Sequence, residues 1–518
     1  MTWSITPYSI FNLADSTKPD CVVLSGWSFN TAIFETILPG LSAKFNLHLA
    51  EVTQLNSYAS FESLCDALSL QISTSFSKPI WLLGWSLGAN ISFQLATQNY
   101  SNSIAGLILL GWTPCFIQKP NWPYAIEMHA LDNLKNLVET NQTRGLNRFD
   151  QLQISSDKQK RLLNKALKDF RKLHNHHQNS DLIQGLYFLR CLDQRQKIDK
   201  IDLPVQLIYG ENDQLVNPSI ATDIASLNAK IAISVLKNVG HLMFLSDADQ
   251  FFNITTQFID RYEKIKTKQA IAHRFSRAAS SYDQFATLQK QVGHKLSKMI
   301  ADRKHEVILD AGCGTGFLSE AIKQKANYYI GSDLAMGMLA YSKRTYQNKS
   351  WLAADIEALP FAANSLDTIF SNLVVQWSDQ LELLLKNWYN SITEGGRVIF
   401  STLLENTLYE LNSCSKNIDQ ARHVNTFLPA SSLTAICQQL PYSSVEIVFE
   451  KIVLEYDQPE LVLKDLKGIG ATFIQRGGRK GLMKRKQLTE LLDNYKQFTL
   501  SNGKIPATYE VAYVSLSK

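Results

Sequence analysis

Seven cysteines in 518 residues are too few, and too widely spaced, to frame a disulfide scaffold. The number is odd and no C-x-x-C pair occurs. Free thiols in a reducing compartment are therefore expected, and no metal site. No run approaches the ~18 uninterrupted apolar residues that a membrane span requires. Residues Met1–Ile10 lack a basic segment followed by an apolar one, so a cytoplasmic location is expected. Charge of one sign is also missing: 52 basic against 47 acidic residues leave a net charge of +5. A chain-wide nucleic-acid-binding field is excluded as the expectation, although local basic patches are not. Internal repeats, low-complexity tracts and Gly/Ser- or Pro-rich spacers are absent as well.

Apolar residues, by contrast, are plentiful. They make up 45% of the chain and aromatics 10%, which is enough for globular cores. A single core rarely grows past about 250–300 residues, so two domains are expected. From about residue 20, short apolar runs alternate with amphipathic helical patterns. Cys21–Leu24, Ile80–Leu83, Ile104–Leu110 and Val205–Tyr209 read as buried parallel strands. The rhythm restarts with Val307–Leu309, Tyr328–Ile330, Trp351–Ala353, Thr368–Ser371 and Arg397–Thr402. Both halves are thus expected to be α/β domains. The charged run at residues 263–267 marks the seam between domains at 1–262 and 268–518: either it is a short linker of a few residues, or the helix at Phe251–Tyr262 runs almost directly into the next domain. Strand signals vanish between about Thr113 and Cys191, and a helical insertion of that size reads as a lid.

Gly84-Trp85-Ser86-Leu87-Gly88 follows an apolar strand and precedes a helical pattern. This is G-x-S-x-G, whose sharp strand-to-helix turn exposes a nucleophilic hydroxyl. A hydroxyl nucleophile needs a base, and the base needs an orienting acid. Asp213 follows the strand Val205–Tyr209, and His241 follows the apolar pattern Ile231–Leu236. The order Ser86, Asp213, His241 is that of α/β-hydrolases. Glu211 is the competing acid, ranked second because it lies closer to the strand. The oxyanion donors are expected to be the backbone N–H groups of Leu87 and of Trp27, in Ser25-Gly26-Trp27.

In the second half, Asp310-Ala311-Gly312-Cys313-Gly314-Thr315-Gly316 follows the first strand. The dinucleotide fingerprint G-x-G-x-x-G would place its third glycine at Phe317 and fails. The run reads instead as D-x-G-x-G-x-G, the loop of class I S-adenosylmethionine-dependent methyltransferases. An NAD enzyme is the rival. Asp333 ends the next strand, where an acid can accept hydrogen bonds from ribose hydroxyls. Asp355 and Asn372 follow the third and fourth strands.

These motifs carry two resemblances. Ser25-Gly26-Trp27, Gly84–Gly88, Tyr209–Asp213 and Gly240-His241 resemble the carboxylesterase of biotin synthesis, which hydrolyses the methyl ester of pimeloyl-[acyl-carrier protein]. The likeness covers most of residues 1–260 and implies substrate contacts at Trp27, Leu87 and the run Arg148-Phe149-Asp150-Gln151-Leu152-Gln153. Ser25 stands where that family often has histidine. The glycine loop, Ala272–Tyr282, Asn372–Trp377, Asn425–Pro429 and Leu466–Ala471 resemble the malonyl-[acyl-carrier protein] O-methyltransferase of the same synthesis, over nearly all of 268–518. That likeness implies S-adenosyl-L-methionine as cofactor, held at Asp310, Gly312, Gly314, Gly316, Asp333, Asp355 and Asn372. The expected fold is therefore an α/β-hydrolase with a helical lid followed by a Rossmann-like class I methyltransferase. The alternative is a generic ester hydrolase joined to a quinone-type or other small-molecule methyltransferase.

The malonyl carboxylate needs a partner in its pocket; Tyr282, Trp377, Arg422 and Lys467 are candidates. In the lid, Lys158, Arg161, Lys165, Lys168 and Lys172 recur at helical spacing, beside an apolar face of Leu162, Leu163, Ala166, Leu167, Phe170 and Leu173. The stripe reads either as a solvated face or as a dock for the acidic acyl carrier protein. A second basic cluster runs over Arg476, Arg479, Lys480, Lys484, Arg485 and Lys486. Discrimination by acyl length is expected from apolar residues around Trp85 and Phe149.

Overall fold

The computed structural model describes residues 3–8, 18–98, 103–174, 177–302, 304–347, 349–416, 418, 422–471, 474 and 483–518. Two compact units divide the chain, Met1–Glu263 and Lys264–Lys518.

The first unit is built on seven strands: β1 (Trp3–Tyr8), β2 (Asp20–Leu24), β3 (Asn46–Val52), β4 (Ile80–Trp85), β5 (Ile104–Leu110), β6 (Val205–Gly210) and β7 (Ala232–Leu236). Their order in the sheet is β1-β3-β2-β4-β5-β6-β7. Only β1 runs antiparallel to its neighbour. Every residue of β4 is buried, as expected of a central strand with helices on both faces. Because the central strands are parallel, their C-terminal ends share one edge, and the loops there can meet. Four helices, Met128–Thr140, Gln142–Ile154, Lys160–His174 and Asn179–Cys191, fill the insertion between β5 and β6.

The second unit holds β8 (His305–Ala311), β9 (Ala326–Asp333), β10 (Ser350–Ala353), β11 (Leu366–Asn372), β12 (Ile392–Leu403), β13 (Ser444–Tyr456) and β14 (Ile505–Ser517). The order is β10-β9-β8-β11-β12-β14-β13, with β14 antiparallel to both neighbours. The reversal between β8 and β11 opens a crevice at the strand ends, the place where such sheets take ligands.

Residues 263–267 lie inside the helix Ala248–Ala278, so of the two arrangements expected at the seam it is the continuous helix, not a short linker, that occurs. The run is rich in Glu and Lys, good helix formers, and contains no Gly or Pro to stop it. Among the described residues, no helix is long and apolar enough to cross a membrane.

Candidate active sites

Ser86 sits between β4 and the helix Leu87–Thr97 with φ 54° and ψ −115°. This strained turn is held from both sides. The Ser86 N–H donates to the Leu110 carbonyl at 2.9 Å. A methyl group at Gly88 would lie 2.5 Å from the Leu24 and Ser25 carbonyl oxygens, so the turn packs hard against the loop after β2. A Cβ at Gly26 would lie 3.2 Å from that of Ser86, which brings the Ser25-Gly26-Trp27 run beside the nucleophile. Ser25 closes its own loop by donating to the Phe29 carbonyl at 2.7 Å. The serine thus serves a local turn.

His241 and Asp213 meet, with Nδ1 2.6 Å from Oδ2. The other carboxylate oxygen accepts N–H groups from Leu215 and Val216 at 2.8 and 3.0 Å. His241 Nε2 is buried without a hydrogen-bond partner among the described residues. An oriented imidazole with a free acceptor nitrogen can take a proton from a serine hydroxyl. The His241 backbone is fixed as well: its N–H donates to the Gln153 carbonyl at 3.0 Å, and its carbonyl accepts the Trp85 indole N–H at 3.0 Å. Trp85 is therefore a core residue under the histidine, 1% exposed, and does not belong to the lid around the acyl group. Glu211, the competing acid, accepts the Asn238 N–H instead. One contributor escaped the sequence reading: a side chain at Gly111 would lie 2.8 Å from His241 Cε1. A Gly directly after a strand was the available signal.

Phe149 packs edge-on to Trp27, with ring centroids 4.7 Å apart, and the Trp27 indole donates to the Leu182 carbonyl of another lid helix. Trp27, Leu87, Phe149 and Gln153 are all buried, whereas Arg148 is exposed and is not brought to them. A cavity lined by Ser25, Trp27, Leu55, Leu87, Ile91 and Leu182 adjoins the pair Trp27 and Leu87.

Lys158 precedes the lid helix and pairs with Asp247 at 2.5 Å, leaving Arg161, Lys165, Lys168 and Lys172 as the exposed stripe. Leu163, Leu167 and Phe170 are buried. Leu162 and Leu173 are 60% and 68% exposed and Ala166 is also exposed, so these three interleave with the cations and are not part of the buried face. Of the second basic cluster, Lys484, Arg485 and Lys486 are exposed, while Arg476, Arg479 and Lys480 lie outside the described residues.

In the second unit, one cleft is lined by Gly312, Gly314, Asp333, Asp355 and Asn372, together with Lys268 and Met338. Asp333 accepts N–H groups from Gly314 at 2.9 Å and Ala335 at 2.7 Å, which ties the glycine loop to the end of β9. Asp355 is ion-paired to Lys268, which also reaches Glu357. Lys268 and Lys264 hold the Glu357 carboxyl down at about 2, against its desolvation. Asp310 and Gly316 stand behind this cleft. Asp310 is 2% exposed and accepts the Tyr329 hydroxyl at 2.8 Å; Gly316 leaves room for Trp351. Burial pushes the Asp310 carboxyl up to about 7. A Cβ at Gly314 would meet nothing within 4 Å, so the loop opens toward the cleft. Open space at a glycine cradle, with the Asp333 carboxylate at the end of β9 beside it, suits a nucleoside such as that of S-adenosylmethionine.

A second, largely apolar cavity shares Phe275, Tyr282, Leu373 and Trp377 with this cleft. Tyr282 and Trp377 therefore stand at the junction of the cleft and the cavity. Arg422 is exposed and donates to Thr426, and Lys467 is exposed; neither lines the cavity. His423 does line it, and was not foreseen.

The comparisons agree with this division. The alpha/beta hydrolase fold family model matches residues 54–248, and the Methyltransferase domain model matches 309–400. A "Biotin biosynthesis bifunctional protein BioHC" of Cellvibrio japonicus is 29% identical over 97% of this chain and 100% of its own length. One of Teredinibacter turnerae is 30% identical over 84% and 81%. A "Malonyl-[acyl-carrier protein] O-methyltransferase" of Serratia marcescens is 38% identical over 48% of this chain and 94% of its own. With a hydrolase part and a methyltransferase part in the same order, and relatedness along nearly its full length, the chain belongs to the family of bifunctional biotin-biosynthesis proteins.

Proposed function

We propose that the second unit methylates the free carboxylate of malonyl-[acyl-carrier protein], and that the first hydrolyses pimeloyl-[acyl-carrier protein] methyl ester. The observation that carries this reading is the pairing in one chain of a methyl-donor cleft opening onto an apolar cavity with a buried Asp213–His241 pair and a strained Ser86.

Bound S-adenosylmethionine supplies an electrophilic methyl on a sulfonium. Gly312, Gly314, Asp333 and Asp355 would hold it. A carboxylate is already a nucleophile, so the chain need not supply a base. Tyr282 and Trp377 align the acyl carboxylate and keep water from the junction. Methylation removes a charge that enzymes with apolar acyl pockets could desolvate only at a cost of several kcal/mol.

In the first unit, Ser86 Oγ attacks the ester carbonyl as His241 Nε2 takes its proton. The backbone N–H groups of Leu87 and Trp27 stabilise the oxyanion, and His241 returns the proton to the departing methoxide, which leaves as methanol. Water then attacks the acyl-enzyme by the same route and frees the pimeloyl carboxylate. Phe149 and Trp27 wall the acyl channel and favour the longer chain, which keeps the hydrolase from undoing the first methylation. The interleaved Leu162, Ala166 and Leu173 with Arg161, Lys165, Lys168 and Lys172 give the lid an outer surface that is apolar and basic, suited to the acidic carrier protein.

Complementation tests both halves. The intact chain should rescue two biotin auxotrophs, one lacking each activity. Ser86→Ala should abolish only the esterase rescue, and Asp333→Ala only the methyltransferase rescue. Rescue of neither strain by the intact chain overturns the reading.

A further inference from the structure

Arg171 lies on the lid helix Lys160–His174 yet does not join its exposed cations. Its side chain is 10% exposed and meets that of Asp150, 6% exposed, from the preceding lid helix. The pair is bidentate, with Nε 3.1 Å from Oδ2 and Nη2 2.7 Å from Oδ1. The guanidinium then crosses to the loop after β2. Nη1 donates to the Ser28 carbonyl and Nη2 to the Ser28 hydroxyl at 3.0 Å, and the group lies 4.0 Å from the centre of the Phe29 ring. Ser28 has φ 66°, a left-handed conformation that a non-glycine residue adopts only under constraint.

A buried ion pair is a poor source of stability, since apolar replacements of similar volume are often as stable. What this one does provide is direction. All five donors of a guanidinium have a fixed geometry, so Arg171 dictates where the Ser28 carbonyl points. That sets the peptide planes of the Gly26–Phe29 turn, which is closed by the Phe29 N–H donating to the Gly26 carbonyl. On the other side, the helix carrying Asp150 also carries Phe149, packed on Trp27, and Gln153, whose carbonyl anchors the His241 N–H.

We infer that Arg171 is a positioning residue of ester hydrolysis: through Asp150 and Ser28 it locks two lid helices to the oxyanion loop and aims the Trp27 N–H, so that the oxyanion hole is complete only beneath a closed lid. The inference rests on the hydrolase reading above.

The test uses the full-length chain with 4-nitrophenyl butyrate, a small ester that needs no carrier, and butylboronic acid as a mimic of the tetrahedral intermediate. Arg171→Ala should lower kcat about tenfold to a hundredfold and leave KM within about twofold, as expected for a displaced donor. Affinity for the boronic acid should fall by the same factor. Arg171→Lys should retain part of the rate, and millimolar guanidinium should restore part of it to Arg171→Ala. An unchanged kcat in a folded variant overturns the inference. So does a loss confined to KM, or one that neither lysine nor guanidinium recovers. Where Arg171→Ala fails to fold, Arg171→Lys carries the test alone, since it keeps the charge but not the fork that reaches both Asp150 and Ser28: a partial fall in kcat and boronate affinity supports the inference, and values equal to wild type overturn it. A wild type that turns over no ester overturns the hydrolase reading itself. Wild-type turnover with unaffected variants overturns only the role of Arg171.

Discussion

Asp213 Oδ2 lies 2.6 Å from His241 Nδ1, with both side chains completely shielded from solvent, while Asp213 Oδ1 is already committed to two backbone N–H groups. The two oxygens are therefore not interchangeable. In Asp213→Asn the amide oxygen would stay with Leu215 and Val216, and the amide nitrogen would face the imidazole. Nδ1 would then become the acceptor and Nε2 would carry the proton, so the base could not take one from Ser86. We expect kcat on a small ester to fall about 10⁴-fold, the effect of such a tautomer inversion, with the unfolding temperature changed little. A loss below about tenfold would show that His241 is not the base.

Gly312 and Gly314 both have left-handed backbones, φ 82° and 55°, but differ in what surrounds them. A Cβ at Gly312 would lie 2.4 Å from Val374, whereas one at Gly314 would enter open cleft. The left-handed conformation alone costs an added side chain about 1–2 kcal/mol. Gly314→Ala should therefore lower the unfolding temperature by only a few degrees and weaken S-adenosylmethionine binding by at least about tenfold, or 1.4 kcal/mol, as read by calorimetry. Gly312→Ala should lose stability and binding together. Equal donor affinity in Gly314→Ala and wild type would remove the donor from that loop.

The parts of the fold that were legible in sequence share one physical cause. Central parallel strands such as Ile80–Trp85 are buried on both faces and read as unbroken apolar runs. Ser86 and Asp213 were legible because each follows such a run; His241 follows the shorter, half-exposed edge strand Ala232–Leu236 and was marked mainly by its place in the order after Ser86 and Asp213. The strands β1, β3, β13 and β14 carried weaker signals. β13, an edge strand, mixes Glu and Lys with Val and Ile and is mostly exposed, a pattern that competes with helix. Arg171 was hidden for a different reason: in sequence it is one more cation beside Lys168 and Lys172, and only the fold turns it inward. His423 was hidden by distance, since it comes to the cavity from about fifty residues beyond Leu373 and no spacing rule links them. The charged seam left two readings open because the same residues that mark linkers also make good helices, and the helix Ala248–Ala278 runs through it.

Asp310 is buried behind the glycine loop, and its carboxyl is pushed up to about 7, chiefly by desolvation, against about 3.9 in an unfolded chain. The folded state thus binds a proton between about pH 4 and 7 that the unfolded chain has already released. Stability from this group is fully present below pH 4 and is lost as the pH rises through 7. Asp310→Asn keeps an acceptor for the Tyr329 hydroxyl and abolishes the titration. The unfolding temperature of the second unit should therefore drop between pH 5 and 8 in the wild type, and less in Asp310→Asn, followed by calorimetry without donor. Parallel pH profiles for the two proteins would show that Asp310 is already ionised in the fold.

The lid stripe gives the sharpest test of carrier docking, because Lys165, Lys168 and Lys172 are exposed and their replacement leaves the core untouched. Among the described residues, Lys172 has a distant partner in Asp169, 3.8 Å away and also exposed. Reversing all three to Glu places negative charge where an acidic carrier would approach. The cost per exposed pair is small, about 0.2–1 kcal/mol, but three reversals act together. We expect KM for a carrier-bound methyl ester to rise about tenfold at low salt, with kcat unchanged. The difference should shrink at ~1 M salt, where the screening length is about 3 Å. Hydrolysis of 4-nitrophenyl butyrate should be unaffected at either salt. A variant equally impaired on both substrates would show that the stripe supports the lid and does not receive the carrier. A variant impaired on neither would leave it as a solvated helix face.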